Sequence, residues 1–147
     1  MRLTLYTDYA LRVLIHLALH EDRLCSISEV SRAYDASHNH LMKVVNKLAH
    51  DGFVETVRGR SGGMRLARPA EQITVGDVVR HTEDGFSLAD CSGCVLSPAC
   101  GLSGVLAQGV AAMLKVFDGY TIADLLADKT TMRRLIARQS PLGIGTV

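Results

Sequence analysis

Three of the four cysteines in this 147-residue sequence, Cys91, Cys94 and Cys100, fall within ten residues of one another. Thiols at that density offer soft donors to a metal, a redox couple or a reactive sulfur, and free thiols belong to a reducing compartment. Three donors are one short of a closed tetrahedral zinc site. Each iron of an iron–sulfur cluster likewise needs its last ligand from cysteine or from an oxygen or nitrogen donor. Cys25, His81 and Asp8 all have the chemistry to complete the set, and spacing does not choose among them. A zinc knot that stiffens the loop and a disulfide switch among the three thiols are the other uses such a group can have. Cys25 itself reads as a buried small residue.

A second set of residues suits phosphate and base edges. Net charge is only +1, yet four arginines and no carboxylate lie between Arg58 and Arg68, a local footprint for a polyanion on a nearly neutral body. Arg58, Arg60 and Arg65 surround the tip Ser61-Gly62-Gly63, where guanidinium groups can enter a narrow minor groove or clamp phosphates. Upstream, Ser37, His38, Asn39, His40 and Lys43 open a helix. The Asn39 amide can bond an adenine edge in two places, Lys43 can reach guanine or phosphate, and the free amides of a helix start favour a phosphate. A solvated helix face and a solubilising turn are the plainer readings of the same residues.

These groups need elements to hold them. Leu3, Tyr6, Ala10, Val13, Leu14, Leu17 and Ala18 recur at helical spacing, with Thr4 or Thr7 as N-cap, and predict a first helix ending near His20. Ser26-Ile27-Ser28-Glu29 reads as a capping box in which Glu29 reaches back, opening a short helix through Tyr34. Asp35-Ala36 breaks it. Ser37 then caps a third helix carrying Leu41, Val44, Val45 and Leu48, stopped by Asp51-Gly52. Alternation over Phe53–Val57 and Met64–Ala67 about a glycine-rich turn predicts a hairpin. Helix, turn, helix and wing together give a mainly α fold, a winged helix-turn-helix with a two-stranded wing.

Beyond Pro69, Thr74-Val75-Gly76-Asp77 caps a short helix over Val78 to Thr82. No helical period runs from Asp84 to Pro98, where the cysteines lie. Leu102, Val105, Leu106, Val110, Met113, Leu114 and Phe117 then mark a long helix whose broad apolar stripe asks for a partner, best met by a two-fold homodimer. Thr121-Ile122-Ala123-Asp124 starts a last short helix, and the tail from Ser140 is expected to be loose. The expected division is residues 1–83 for DNA binding, 84–101 for the cysteine loop, 102–139 for a dimerisation helix and a short C-terminal helix, and 140–147 for the tail.

No apolar stretch approaches the roughly 20 residues of a membrane span, and the opening residues lack the pattern of a secretory signal, so a cytoplasmic protein without membrane partners is expected. No phosphate-cradling glycine loop or Ser/His/Asp constellation stands out, and the six histidines are scattered. An enzyme is not expected.

Several stretches together resemble the bacterial iron–sulfur winged-helix regulators that include NsrR, IscR and RirA. They are Met1-Arg2-Leu3-Thr4 with Thr7-Asp8-Tyr9-Ala10-Leu11-Arg12, Ile27-Ser28-Glu29-Val30, Val57 through Leu66, Ile73 through Arg80, and the cysteine loop followed by Tyr120 through Leu125. Ser37 through Asn46 and Ser97-Pro98-Ala99-Cys100 look most like the nitric-oxide-responsive branch. The resemblance implies a repressor of operator DNA with nitric oxide as effector and a 4Fe-4S cluster bound by Cys91, Cys94, Cys100 and an aspartate of the other subunit, matched here by Asp8. One departure is evident: two residues separate Cys91 from Cys94, where members of the family usually have more. A 2Fe-2S cluster, and iron supply or cluster status as the signal, therefore stay open.

Overall fold

The computed structural model describes residues 2–139, so the tail from Ser140 to Val147 lies outside the described residues. In chain order the elements are α1 (Leu5–Leu19), α2 (Ile27–Tyr34), α3 (His38–His50), β1 (Val54–Val57), β2 (Gly63–Leu66), α4 (Val75–Thr82), α5 (Leu102–Asp118) and α6 (Lys129–Gln139). Four helices begin at the residues whose side chains can cap them. Thr4, Ser26, Ser37 and Thr74 accept from the amides of Thr7, Glu29, His40 and Asp77 respectively, satisfying donors that a helix start leaves unpaired.

The fold is mainly α, a winged helix-turn-helix. Between α2 and α3 the turn rests on Asp35, whose left-handed backbone (φ 49°) suits a short polar side chain. β1 and β2 pair antiparallel from Val54 opposite Leu66 to Val57 opposite Gly63. A single residue from the α1–α2 connection extends this ribbon: the amide of Cys25 donates to the Met64 carbonyl at 3.0 Å, and the Met64 amide returns to Cys25 at 2.8 Å. At the tip, Gly59 adopts φ 112°, a conformation that side-chain-bearing residues rarely enter.

The core forms where the apolar stripe of α1 (Ala10, Val13, Leu14, Leu17) meets Val30, the inner face of α3 (Leu41, Val44, Val45, Leu48), Phe53, Met64, Ile73, Val78 and Ile122. Each fully buried Leu or Phe contributes about 1.5–3 kcal/mol, so this cluster sets the position of α3 relative to the wing. The long helix α5 follows a different rule. It packs on α4, yet none of its residues is buried, and Leu102, Val105 and Val116 are 51%, 64% and 58% exposed.

Three expectations need correction. α4 begins at Val75 rather than Val78, directly after its cap Thr74. The segment from Thr121 is a single 3-10 turn, Ala123–Leu125, and a separate eleven-residue helix, α6, follows it. The Val75 amide donates to Tyr120 and the Ile122 amide to Ile73, both at 2.8 Å, so backbone pairing pins this stretch and a continuous helix cannot form. Glu29 does not reach back to Ser26; its carboxylate is taken by Arg23 and His16. Among the described residues, no helix is long and apolar enough to cross a membrane.

Candidate metal centre and nucleic-acid interface

The cysteine loop is built from successive turns. Asp90 opens it by accepting from the Ser92 hydroxyl at 2.6 Å and the Ser92 amide at 3.0 Å, and these hydrogens hold its carboxyl below the usual aspartate range. The Cys94 amide then donates to Cys91, Ser97 to Cys94, and Ala99 to Leu96. All three thiols are free; Cys94 and Cys100 are exposed and Cys91 half-buried. None belongs to the hydrophobic core, so packing does not account for them.

Cys100 is followed at once by α5, whose N-cap, Gly101, has no side chain to satisfy the first amides and whose first turn carries no acid. Unsatisfied amides at a helix start stabilise nearby negative charge, including a thiolate or an anionic cluster. Three soft donors in a solvent-facing loop beside that helix start fit the donor chemistry of an iron–sulfur group. Their sulfurs are not drawn with Asp8 into a tight single-ion group, and a cluster of several irons spreads its ligands more widely than one ion does.

Asp8 lies on the outward side of α1, 42% exposed, where its carboxylate pairs with Arg12 at 2.9 Å. An open groove beside it is lined by Arg2, Leu3, Leu5, Asp8, Leu11 and Arg12. The start of α1 is tied to the point where the cysteine loop leaves α4. The Thr4 amide and hydroxyl donate to Glu83 at 2.8 and 2.9 Å, the Thr7 hydroxyl also donates to Glu83, and Thr7 bonds Thr82 at 2.8 Å. From α1 the contact continues to α3, where the Tyr6 hydroxyl donates to the Lys43 carbonyl at 3.3 Å.

Along α3, Ser37, His38, Asn39, His40 and Lys43 are all exposed, while Leu41, Val44, Val45 and Leu48 face the core. Arg58, Arg60 and Ser61 are exposed at the wing tip. Arg65 differs: its Nε sits 2.9 Å and its Nη2 3.2 Å from the two carboxylate oxygens of Glu55 on the neighbouring strand. Arg68 is also held, its guanidinium 4.7 Å from the centre of the Phe53 ring.

Of the other candidate ligands, Cys25 is fully buried, and burial pushes its thiol up to about 11. His81 stands at the end of α4, with Nδ1 2.8 Å from the Asp77 carbonyl and its ring edge-on to Phe53. Cys25 does join a compact group of potential ligand atoms, but with His16, His20 and Glu29. The i, i+4 spacing of His16 and His20 on α1 was the available sequence signal for this group.

Comparison with known proteins agrees with this architecture. The profile of the Rrf2 family, an iron-dependent transcriptional regulator, matches residues 3–128. The chain belongs to the Rrf2 family. An HTH-type transcriptional regulator NsrR of Bacillus licheniformis is 46% identical over 143 residues, covering 93% of this chain and 100% of that protein. The NsrR of Bacillus subtilis is also 46% identical, covering 92% and 97%. Among solved structures, the T. potens IscR has a TM-score of 0.74 at 26% identity, covering 89% of this chain and 90% of that one. CymR, the global cysteine regulator of B. subtilis, has a TM-score of 0.73 at 25% identity, covering 85% and 95%. This Rrf2 protein is thus a transcriptional regulator and not an enzyme.

Proposed function

We propose that this chain is a dimeric repressor that binds operator DNA and senses nitric oxide through an iron–sulfur cluster, 4Fe-4S in the first instance. Cys91, Cys94 and Cys100 of one protomer, with Asp8 of the partner subunit, would hold it. The observation that carries the reading is the placement of three free thiols outside the core, Cys94 and Cys100 exposed and Cys91 half-buried, directly ahead of the uncapped start of α5. Near full-length likeness to proteins named NsrR supports it. When bound, the cluster would supply iron that reacts with nitric oxide.

The chain's own residues couple the loop to DNA. Residues 84–101 form the sensing loop, residues 1–83 the DNA-binding part, and within residues 102–139 the uncovered apolar stripe of α5 forms the dimer contact, while α6 packs on its own chain's core. Thr4 and Thr7 fasten α1 to Glu83 at the root of the loop, and α1 carries Tyr6 onto Lys43 of α3. A rearrangement of the loop would therefore reach the recognition helix through packed elements and change the population of the DNA-competent form. Asn39 and Lys43 would read the major groove, with Ser37, His38 and His40 beside them, while Arg58, Arg60, Ser61 and Arg65 would hold the adjacent backbone or minor groove.

The test is an anaerobic visible spectrum of the full chain, followed by nitric oxide titration while binding is measured to a duplex selected by the brown protein from a random pool. Joint loss of the visible band and of binding is expected. Unchanged binding after nitric oxide would overturn the sensing role, and a colourless zinc protein would overturn the cluster. The family's description as iron-dependent supports a second reading in which the same site reports iron supply. In that case iron depletion, rather than nitric oxide, would release DNA.

A further inference from the structure

We propose that His16, His20, Cys25 and Glu29 form a second metal site, separate from the cysteine loop, that takes one divalent transition-metal ion of the zinc class. Each residue offers one ligand atom, two imidazole nitrogens, a sulfur and a carboxylate oxygen, and all four lie within 4.8 Å of one another. Zinc bonds of about 2.0–2.3 Å in a tetrahedron place neighbouring ligands about 3.3–3.8 Å apart. The His16 Nε2 to Glu29 Oε1 separation of 3.1 Å is already close to such an edge. The rest need to close by little more than an ångström, within reach of side-chain rotation.

Three elements converge on the group. His16 and His20 sit one turn apart at the end of α1, their rings 4.6 Å apart and tilted by 34°, the i, i+4 arrangement by which one helix face presents two imidazoles to a metal. Cys25 is locked by its two backbone bonds to Met64 of the wing, and Glu29 lies in the first turn of α2. Donors on such anchored elements are held before an ion arrives. The His16 ring is fully buried and its Nδ1 has no partner, so the hydrogen bonding of this cluster is incomplete as it stands.

The donor set also selects the ion. Two nitrogens, one sulfur and one oxygen suit zinc, cobalt or ferrous iron and disfavour magnesium and calcium, which want oxygen throughout. Thiolate and carboxylate together neutralise a divalent charge. Arg23 bonds both Glu29 oxygens, Nη1 to Oε2 at 3.0 Å and Nη2 to Oε1 at 2.5 Å. On binding, Oε1 exchanges Nη2 for the metal and the Cys25 sulfur exchanges its 3.6 Å contact with Nη1, while Nη1 stays on Oε2 and orients that carboxylate as outer-shell partners do. As the metal bonds form, the Cys25 thiol proton leaves to solvent and the His16 ring proton moves from Nε2, where it now bonds Glu29, to the unpartnered Nδ1. Half-exposed His20, with the partly exposed Arg23 and Glu29 side chains, gives the ion a way in. An ion held here joins α1, α2 and the wing at one point, fixing the wing against the helix-turn-helix.

The experiment uses the full chain with Cys91→Ser, Cys94→Ser and Cys100→Ser, prepared metal-free, so that the loop thiols cannot report. Titration with cobalt(II) should give one ion per chain, with the intense visible bands of tetrahedral cobalt and a sulfur-to-cobalt charge-transfer band. Zinc should displace it and raise Tm. Adding Cys25→Ser should remove the charge-transfer band. Adding His20→Ala, a half-exposed position whose loss leaves the core filled, should weaken binding by at least about tenfold and abolish the zinc-dependent rise in Tm. Absence of tetrahedral bands would mean a hydrogen-bonded ionic knot only, and bands that survive both substitutions would mean cobalt held by other residues; either would overturn the site.

Discussion

Glu83, at the end of α4, accepts hydrogen bonds from the amide and hydroxyl of Thr4, 79 residues earlier, at 2.8 and 2.9 Å. With the Thr7 hydroxyl on the same oxygen, this carboxylate joins the root of the cysteine loop to the helix that lies against α3. The joint is polar and local, so it can be loosened without emptying the core.

Glu83→Ala should cost about 1 kcal/mol, or about 3 °C in Tm, and should weaken the response of DNA binding to the state of the loop. Burial alone would raise the Glu83 carboxyl, but hydrogen bonds from Thr7 and Thr4 outweigh it and hold its pKa below the ordinary glutamate value. A depressed folded pKa means that the contribution is fully present above the unfolded value of about 4.3 and is lost as pH falls through the lower folded value. Acid melts of wild type and Glu83→Ala should converge in that window. Parallel curves down to low pH would show that the carboxylate is not the stabilising form.

DNA contact should divide the wing arginines into two classes. Arg58→Ala and Arg60→Ala remove exposed guanidinium groups, and each should reduce affinity across all sequences and lower the salt slope by about 1. Arg65→Ala should do less, because Glu55 already holds that side chain through two hydrogen bonds; Glu55→Ala should release Arg65 and strengthen non-specific binding. Asn39→Ala should instead cost about 1–3 kcal/mol on the selected duplex and relax specificity there. Affinities and salt slopes unchanged from wild type in all three arginine variants would remove the wing from the interface.

How much of this was legible in the sequence depended on whether the deciding contact was local. Thr4, Ser26, Ser37 and Thr74 cap their own helices within three residues, so α1 to α4 could be read from residue types. Glu29 looked like the far end of a capping box, but Arg23 and His16 outcompete the Ser26 amide for its carboxylate, a tertiary choice that spacing does not record. The bridge from Cys25 to Met64 is one residue long and leaves no alternation to detect. The sequence points to a last short helix from Thr121 rather than to α6 from Lys129 because Thr121 and Asp124 bond each other as a helix start would, while Ile122 and Leu126 are drawn into the core and end that turn. The spacing of Met132 and Ile136, both packed on the core, was its signal. For the candidate site, the loop thiols were plain from density alone, whereas the grouping of Cys25 with two histidines required the end of α1 to be placed beside α2.

The contact between α4 and α5 should show coupling between two positions far apart in sequence. A Cβ at Gly76 would collide with the Asp118 carboxylate, which Arg80 holds through Nη1–Oδ1 and Nη2–Oδ2 contacts of 2.5 and 2.7 Å. That pair is exposed and so contributes little, whereas alanine is intrinsically better in a helix than glycine by about 1 kcal/mol. Gly76→Ala should therefore be neutral or mildly destabilising alone but stabilising in an Asp118→Ala background. Denaturant unfolding of the four proteins of the cycle measures the coupling, and strict additivity would refute the close approach.

Asp8 offers the sharpest test of how two protomers share one centre. Its carboxylate is partly exposed and pairs with Arg12 on its own helix, so in this chain it is already engaged. If the centre takes Asp8 of the partner subunit, mixing a chain carrying Asp8→Ala with one carrying Cys91→Ser, Cys94→Ser and Cys100→Ser creates, in the heterodimer, one site with three thiols and an intact aspartate. Ligation within one chain creates none, since the thiols and the aspartate are then never intact together. Purified heterodimer, isolated with two different tags, should show half the wild-type visible absorbance and wild-type stability of that band. The Asp8→Ala homodimer should lose its band faster under air or chelator. A heterodimer band that decays like that of the Asp8→Ala homodimer would place the aspartate in the same chain as the thiols or outside the centre altogether.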